Sequence, residues 1–154
     1  MSLPLLERIK IQAEVLVPLV KHLQVELGEA KANGIVKKGL GGWARDLGRA
    51  IGSATSGTSV EKLSAALPLF AAGDALDLEV LQQTKDALDF NVTRCRYATF
   101  YQELRAPELG FLLVCSMDYE LTEGVGSDVE LTRTQTLMQG ASHCDFRWRR
   151  RPSV

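Results

Sequence analysis

The residues here with most chemistry to offer are three cysteines, Cys95, Cys115 and Cys144, all within the last 60 positions of a 154-residue chain. A thiolate is a nucleophile and a soft metal ligand, and an adjacent acid or imidazole can handle its proton. Cys115 and Asp118 are three apart, so on a helix they share a face. That pair offers a nucleophile beside an acid/base, or two ligands to a soft metal ion. Cys144 sits between His143, a proton carrier near neutral pH, and the carboxylate of Asp145. Cys95 would have a lowered pKa at a helix N-terminus. The bland reading is that a free cysteine is most often a small buried hydrophobe and His143 a solvated turn residue. No CxxC and no His pair at i, i+4 occurs, so no metal motif is present and no cofactor is expected.

A polar anomaly lies beside these thiols. In RTQTLMQGASHCDFRWRRR (133–151) strand alternation places Arg133 and Gln135 on the face of Leu131 and Leu137, and Cys144 on that of Phe146 and Trp148. By the same rule, inward Phe90 and Val92 bring Arg94 inward. A buried guanidinium needs a carboxylate, either the protein's own or a ligand's. A structural ion pair, or a bulge that turns Arg133 outward, is the alternative. The candidate catalytic residues are therefore Cys115, Asp118, Cys144, Asp145 and Cys95. The candidate substrate-binding residues are Arg133, Gln135, His143 and Arg94. Strict alternation turns Asp145 away from Cys144, so only a bulge or strand end joins them in one site.

The elements that must position these groups follow from apolar spacing. From Leu5 to Ala32 apolar residues recur near helical period, and Pro18 is predicted to kink or split that helix. A second helical pattern spans Ile35–Ile51, weakened at its middle by Gly39, Gly41 and Gly42. A loop follows, and Thr58 or Ser59 caps a short helix through Phe70. The period then becomes two. Strands are predicted at Leu76–Leu81 and Leu88–Thr93, joined by a polar turn near Thr84, and at Val129–Met138 and Cys144–Arg151. The segment between the two pairs divides at Pro107 and Gly110 into two short helices. The expected class is α+β, with N-terminal helices packed on a four-stranded antiparallel sheet and two short helices inserted between strand pairs. One domain is expected over 1–154, mainly helical in 1–73 and sheet-forming in 74–154.

Composition narrows the partners. With 45% hydrophobic residues, 24% charged and a net charge of −1, no global field favours nucleic acid or a membrane. The apolar runs are broken by charge or too short to span a bilayer. The start lacks a secretory pattern, and an odd cysteine count fits reduced thiols, so a cytoplasmic location is expected. GLGGWARDLG follows a helical pattern and not a strand, so it is not a dinucleotide loop. The basic tail Arg147, Arg149, Arg150, Arg151 reads as a solvated strand edge.

Taken together, VTRCRYATFYQEL, LGFLLVCSMDYELTEG and LTRTQTLMQGASHCDFRW resemble the L-2-amino-thiazoline-4-carboxylic acid hydrolase family. The likeness is most specific at Cys144-Asp145-Phe146 after RTQTL, and extends more weakly to the helical ELGEAKAN. It implies a hydrolase acting at a cyclic amidine carbon, in which water opens a thiazoline ring to give N-carbamoyl-L-cysteine. The 4-carboxylate of such a substrate would supply the anion that an inward Arg133 requires. Hydrolysis at the C=N carbon would use a nucleophile and a proton donor to the departing nitrogen. Direct attack by Cys115 or Cys144, and water activation by Asp118 or Asp145, both stay open. Two other classes fit the same residues: a non-catalytic module that binds or senses a small carboxylate, and an interaction subunit forming a homo-oligomer through its amphipathic N-terminal helices.

Overall fold

The switch from helical to alternating apolar spacing near residue 74 is where three helices give way to the sheet. The computed structural model describes residues 2–153. Its elements run α1 (Leu5–Leu27), α2 (Glu29–Ala54), α3 (Ser59–Ala71), β1 (Leu76–Gln83), β2 (Ala87–Cys95) and α4 (Arg96–Glu103). They continue through α5 (Pro107–Gly110), a π-helical turn (Phe111–Cys115), α6 (Met117–Val125), β3 (Val129–Thr132), a 3-10 turn (Leu137–Gln139) and β4 (Cys144–Arg150). The four strands form one antiparallel sheet in the order β1-β2-β4-β3. The α+β class is as expected.

The first helix does not break at Pro18. Pro18 sits inside α1 on its exposed side, where water can reach the backbone carbonyl that loses its donor. The chain turns instead at Gly28, whose φ of +83° suits a residue without a Cβ. Nor is α2 weak at its glycines: it is continuous from Glu29 to Ala54. Two glycines explain its course, because α2 crosses α6 at backbone contact. A Cβ on Gly48 would collide with the Leu121 carbonyl oxygen, and one on Gly124 with that of Arg45. At α3 the sequence signal holds, with Thr58 and Glu61 exchanging both bonds of a capping box.

The inserted region is also more continuous than expected. Gly110 is helical, and a Cβ there would meet Met138 and Tyr101 within 2.7 Å, so it serves close packing and not a break. From Pro107 the chain runs helically to Val125, interrupted by the π-turn, where Ser116 N–H donates to the Phe111 carbonyl at 2.8 Å. The third strand is short. It ends at Thr132, and the residues expected to prolong it form an irregular stretch and the 3-10 turn.

Helices cover one face of the sheet, and its other face carries charge. On that outer face Arg149 pairs with Asp89, and Arg147 donates to Asn91 Oδ1 at 3.0 Å. The basic tail is therefore matched by neighbouring acids and amides, including Asp86 for Arg150 and Glu123 for Arg151. Two apolar clusters lie beneath. One joins α1, α4 and the π-turn around Leu6, Val20, Tyr101 and Leu109. The other joins α3, α6 and the sheet around Val60, Leu63, Leu88 and Trp148. No helix among the described residues is long and apolar enough to cross a membrane.

Candidate functional site

A cavity of about 130 Å³ opens where the two apolar clusters meet. A water-sized occupant needs roughly 10–15 Å³ by this measure, so the space suits a ligand of on the order of ten heavy atoms. Its wall is mostly aliphatic and aromatic, with Ile9, Leu47, Phe70, Phe90, Leu121 and Trp148 among its members. Trp43 also lines it while keeping 49% of its surface exposed, which marks the mouth. The polar groups on this wall are few: Asp118, Arg133, Tyr97 and the thiols of Cys95, Cys115 and Cys144. Tyr97 is already engaged, its hydroxyl donating to the Phe70 carbonyl at 2.8 Å.

Arg133 answers the alternation rule. Leu131 and Trp148 pair across β3 and β4, and Thr132 pairs with Arg147, so the next residue on the inner face is Arg133, beside Phe146. Its side chain is 2% exposed. Nη1 donates to Asp118 Oδ2 at 2.5 Å and Nη2 to the Cys115 carbonyl at 3.0 Å. The guanidinium also lies over two rings, 5.1 Å from the centroid of Phe146 and 5.4 Å from that of Tyr119. Phe146 in turn stacks on Phe90 at 5.0 Å. Carboxylate, carbonyl and two π faces together offset the loss of water around a buried cation.

The backbone that presents Arg133 is held from both sides. Tyr119 Oη donates to its carbonyl at 3.3 Å. Asp145 accepts the amides of Thr134 and Gln135, each at 2.9 Å, and the Thr134 hydroxyl at 2.6 Å. Burial works against the Asp145 carboxylate, but these donors outweigh it and hold its pKa below the ordinary value. Asp145 is thus outside the cavity and clamps the loop that aims Arg133.

Asp118 keeps 30% of its side chain accessible, and the cavity is what it lines. The residue is deep, so that surface meets enclosed space. Burial raises its pKa despite the nearby guanidinium. Arg133 stays firmly charged, because the Asp118 carboxylate beside it overcomes the effect of burial. Cys115, the last residue of the π-turn, and Asp118 lie on the same wall, as their spacing predicts; such insertions into helices recur at functional sites.

All three thiols are held protonated. Cys95 does stand at the N-cap of α4, accepting from Ala98 N–H at 3.4 Å, yet burial prevails and lifts its pKa to about 11, opposite to the lowering expected of a helix N-terminus. Burial likewise raises Cys115 well above the usual thiol value, and raises Cys144 even though Leu137 N–H donates to its sulfur at 3.2 Å. Among the described residues no three His, Cys, Asp or Glu side chains are grouped so as to hold a metal ion.

The remaining candidates lie elsewhere. Arg94 points to the outer face, where it pairs with Asp77 and Asp74 at 2.8 Å. The cause is a bulge: Asp77 faces Arg94 while Leu78 faces Val92, so Thr93 is an extra residue in β2. That insertion turns Arg94 out and brings Cys95 onto the inner wall. Gln135 and His143 do not line the cavity either. Gln135 Nε2 donates to the His143 carbonyl at 3.0 Å, closing the turn before β4. Gln135 leaves the inner face because β3 ends before it, and His143 lies in the turn, where it was expected. Sequence reasoning did not single out Tyr119, Tyr97 or Trp43. Tyr119 carried one usable signal, its place four residues after Cys115; Trp43 carried none.

Fold and site together define an α+β protein with a part-open, largely apolar cavity whose wall bears a buried carboxylate–guanidinium pair and three protonated thiols. The chain belongs to the L-2-amino-thiazoline-4-carboxylic acid hydrolase family, whose sequence profile matches residues 8–148 and so nearly all of it. A hydrolase-like function in general follows from that membership. No curated protein matches the chain.

Proposed function

We propose that this protein opens the ring of a small heterocyclic carboxylate that also bears an amidine, as in the conversion of 2-amino-thiazoline-4-carboxylate to N-carbamoyl-L-cysteine. The observation that carries the reading is the Asp118–Arg133 pair on the wall of a cavity of ligand size. At rest this pair is close to neutral overall. A simple carboxylate entering beside it adds an uncompensated negative charge to an apolar enclosure. A molecule with both a carboxylate and a protonated amidine keeps the balance, presenting its anion to Arg133 and its cation to Asp118.

The chemistry must conserve atoms. N-carbamoyl-L-cysteine retains both amidine nitrogens on its carbonyl carbon, so the ring bond that breaks is C–S, not C–N, and the proton goes to sulfur. Asp118 takes a proton from water as its oxygen bonds to the amidine carbon. The tetrahedral carbon then collapses to the urea carbonyl: the C–S bond cleaves, Asp118 returns its proton to the departing sulfur, and the hydroxyl proton, which balances the charge of the protonated amidine, leaves to solvent. A raised carboxylate pKa suits a group that alternates between base and acid. Protonated thiols fit a wall better than an attacking group, which favours water activated by Asp118 over direct attack by Cys115 or Cys144.

The test is incubation of folded protein with 2-amino-thiazoline-4-carboxylate and, separately, with 2-amino-thiazoline lacking the carboxylate, with release of free thiol followed over time. Thiol is expected from the first and far less from the second. Asp118→Asn should lower kcat by about 10²–10⁴-fold, the usual contribution of a positioned acid/base, while Cys144→Ala keeps most of the rate. No thiol from either compound overturns the reading. A carboxylate that raises the melting temperature without being consumed would instead mark a binding module.

A further inference from the structure

The face of α1 that points away from the core carries Ile11, Val15 and Leu19 at successive steps of four. They are 55%, 67% and 49% exposed, and Pro18 is exposed among them. Steps of four align on one side of a helix, so these residues form a continuous apolar ridge that the chain itself leaves open. The ridge ends in charge. Arg8 stands seven residues before Val15, and Glu26 seven after Leu19, both exposed and both on the same stripe. Along one flank run exposed Glu14 and Lys21.

We propose that this ridge is a homodimer interface in which two copies of α1 pack antiparallel about a two-fold axis that crosses the ridge midway between Val15 and Leu19. The charge pattern selects both the partner and the direction. With the axis there, Val15 of one protomer meets Leu19 of its partner, Arg8 meets Glu26, and Glu14 meets Lys21. The symmetry repeats each contact, as an isologous interface requires. Parallel packing would set Arg8 on Arg8 and Glu26 on Glu26. An anionic lipid surface is a poorer match, because the stripe carries as many acids as bases. The span from Arg8 to Glu26 is about 27 Å at helical rise, long enough for a helix-pair interface. This inference is independent of the ring-opening reading, since none of these residues touches the Asp118–Arg133 pair.

Sedimentation equilibrium on the full chain from micromolar to millimolar concentration tests it. The mass should rise from 16.9 kDa toward twice that value. Val15→Asp should weaken the dimer by at least about tenfold, as expected for a charge placed at the centre of an apolar contact. Arg8→Glu should weaken it by about tenfold by setting like charges opposite each other, and the double variant R8E/E26R should restore it. Circular dichroism of each variant verifies that α1 is still folded. A monomer at millimolar concentration overturns the proposal, as does a dimer indifferent to Val15→Asp. Failure of R8E/E26R to recover overturns the antiparallel arrangement. Sedimentation of a monomeric wild type with anionic phospholipid vesicles would assign the ridge to lipid and overturn the dimer.

Discussion

Cutting the Asp118–Arg133 pair from its two ends should have unequal consequences. Arg133 has a side chain 2% exposed and no accessible way to lose its proton. Asp118→Leu leaves that cation buried against one carbonyl and two rings, and orphaning a buried charge in this way costs about 3–5 kcal/mol. At about 2–4 °C per kcal/mol for a domain of this size, the melting temperature should fall by roughly 6–20 °C. Arg133→Met leaves a carboxyl that can become neutral. Its cost at pH 4 should be confined to lost hydrogen bonds and packing, about 1–2 kcal/mol. That cost must grow with pH, because the folded-state pKa of Asp118 is already raised and loses the guanidinium that restrained it. A carboxyl with a raised folded pKa supplies stability that is complete below its unfolded value of 3.8 and is lost as pH rises through the folded value. The added penalty is about 1.4 kcal/mol per pH unit across that window. The double variant D118L/R133M should cost less than the two single changes combined, since it leaves no charge behind. Urea unfolding of the four proteins between pH 4 and 8 measures all of this. Equal losses for the single variants at pH 4, or a loss in Arg133→Met that does not increase with pH, would refute the reasoning.

Two further predictions rest on backbone approach and thiol burial. Gly48→Ala must push α2 from α6 and should destabilise by about 1–3 kcal/mol, the usual range for overpacking. Gly39→Ala meets nothing within 4 Å and should stabilise by about 0.5–1 kcal/mol; urea midpoints in the opposite order would contradict the packing described. Iodoacetamide at pH 7 should label the native thiols at least about tenfold more slowly than the unfolded ones, since only the thiolate reacts. The Cys95 rate should keep climbing toward its pKa of about 11. Full labelling of all three within minutes at pH 7, read by mass, would show that the cavity does not hold them protonated.

What the sequence disclosed, and what it did not, divides along the line between regular and inserted backbone. The sheet, the capped third helix and the inward Arg133 were legible because each follows from a fixed period, and nothing disturbs alternation between Leu131 and Arg133. The errors cluster where one residue is added. A bulge at Thr93 exchanges the directions of Arg94 and Cys95, sending the predicted ligand group to the surface and bringing a thiol to the wall. The π-turn at Phe111–Cys115 is a second insertion, on a helix, and it went unread, although Cys115 and Asp118 share a wall as their spacing predicted. Neither insertion has a composition signal, because their stabilisation comes from partners distant in sequence: Asp77 for Arg94, and Arg133 for the Cys115 carbonyl.

Glycine misled for a related reason. Read locally, Gly39, Gly41 and Gly42 weaken α2; read against α6, Gly48 and Gly124 permit a helix crossing that any side chain would forbid. That crossing fixes the distance between α2, which supplies Trp43 at the mouth, and α6, which supplies Asp118 on the wall. A residue type that costs helix stability is thus retained where it sets the width of the cavity. The same logic places Asp145 outside the site yet close to its chemistry. Its three accepted hydrogen bonds hold the stretch that follows β3, where strand alternation would otherwise have turned Gln135 to the inner face. The site is polar at one point because alternation along β3 carries Arg133 inward, and Gln135 does not follow it because the stretch after β3 is irregular and held by Asp145.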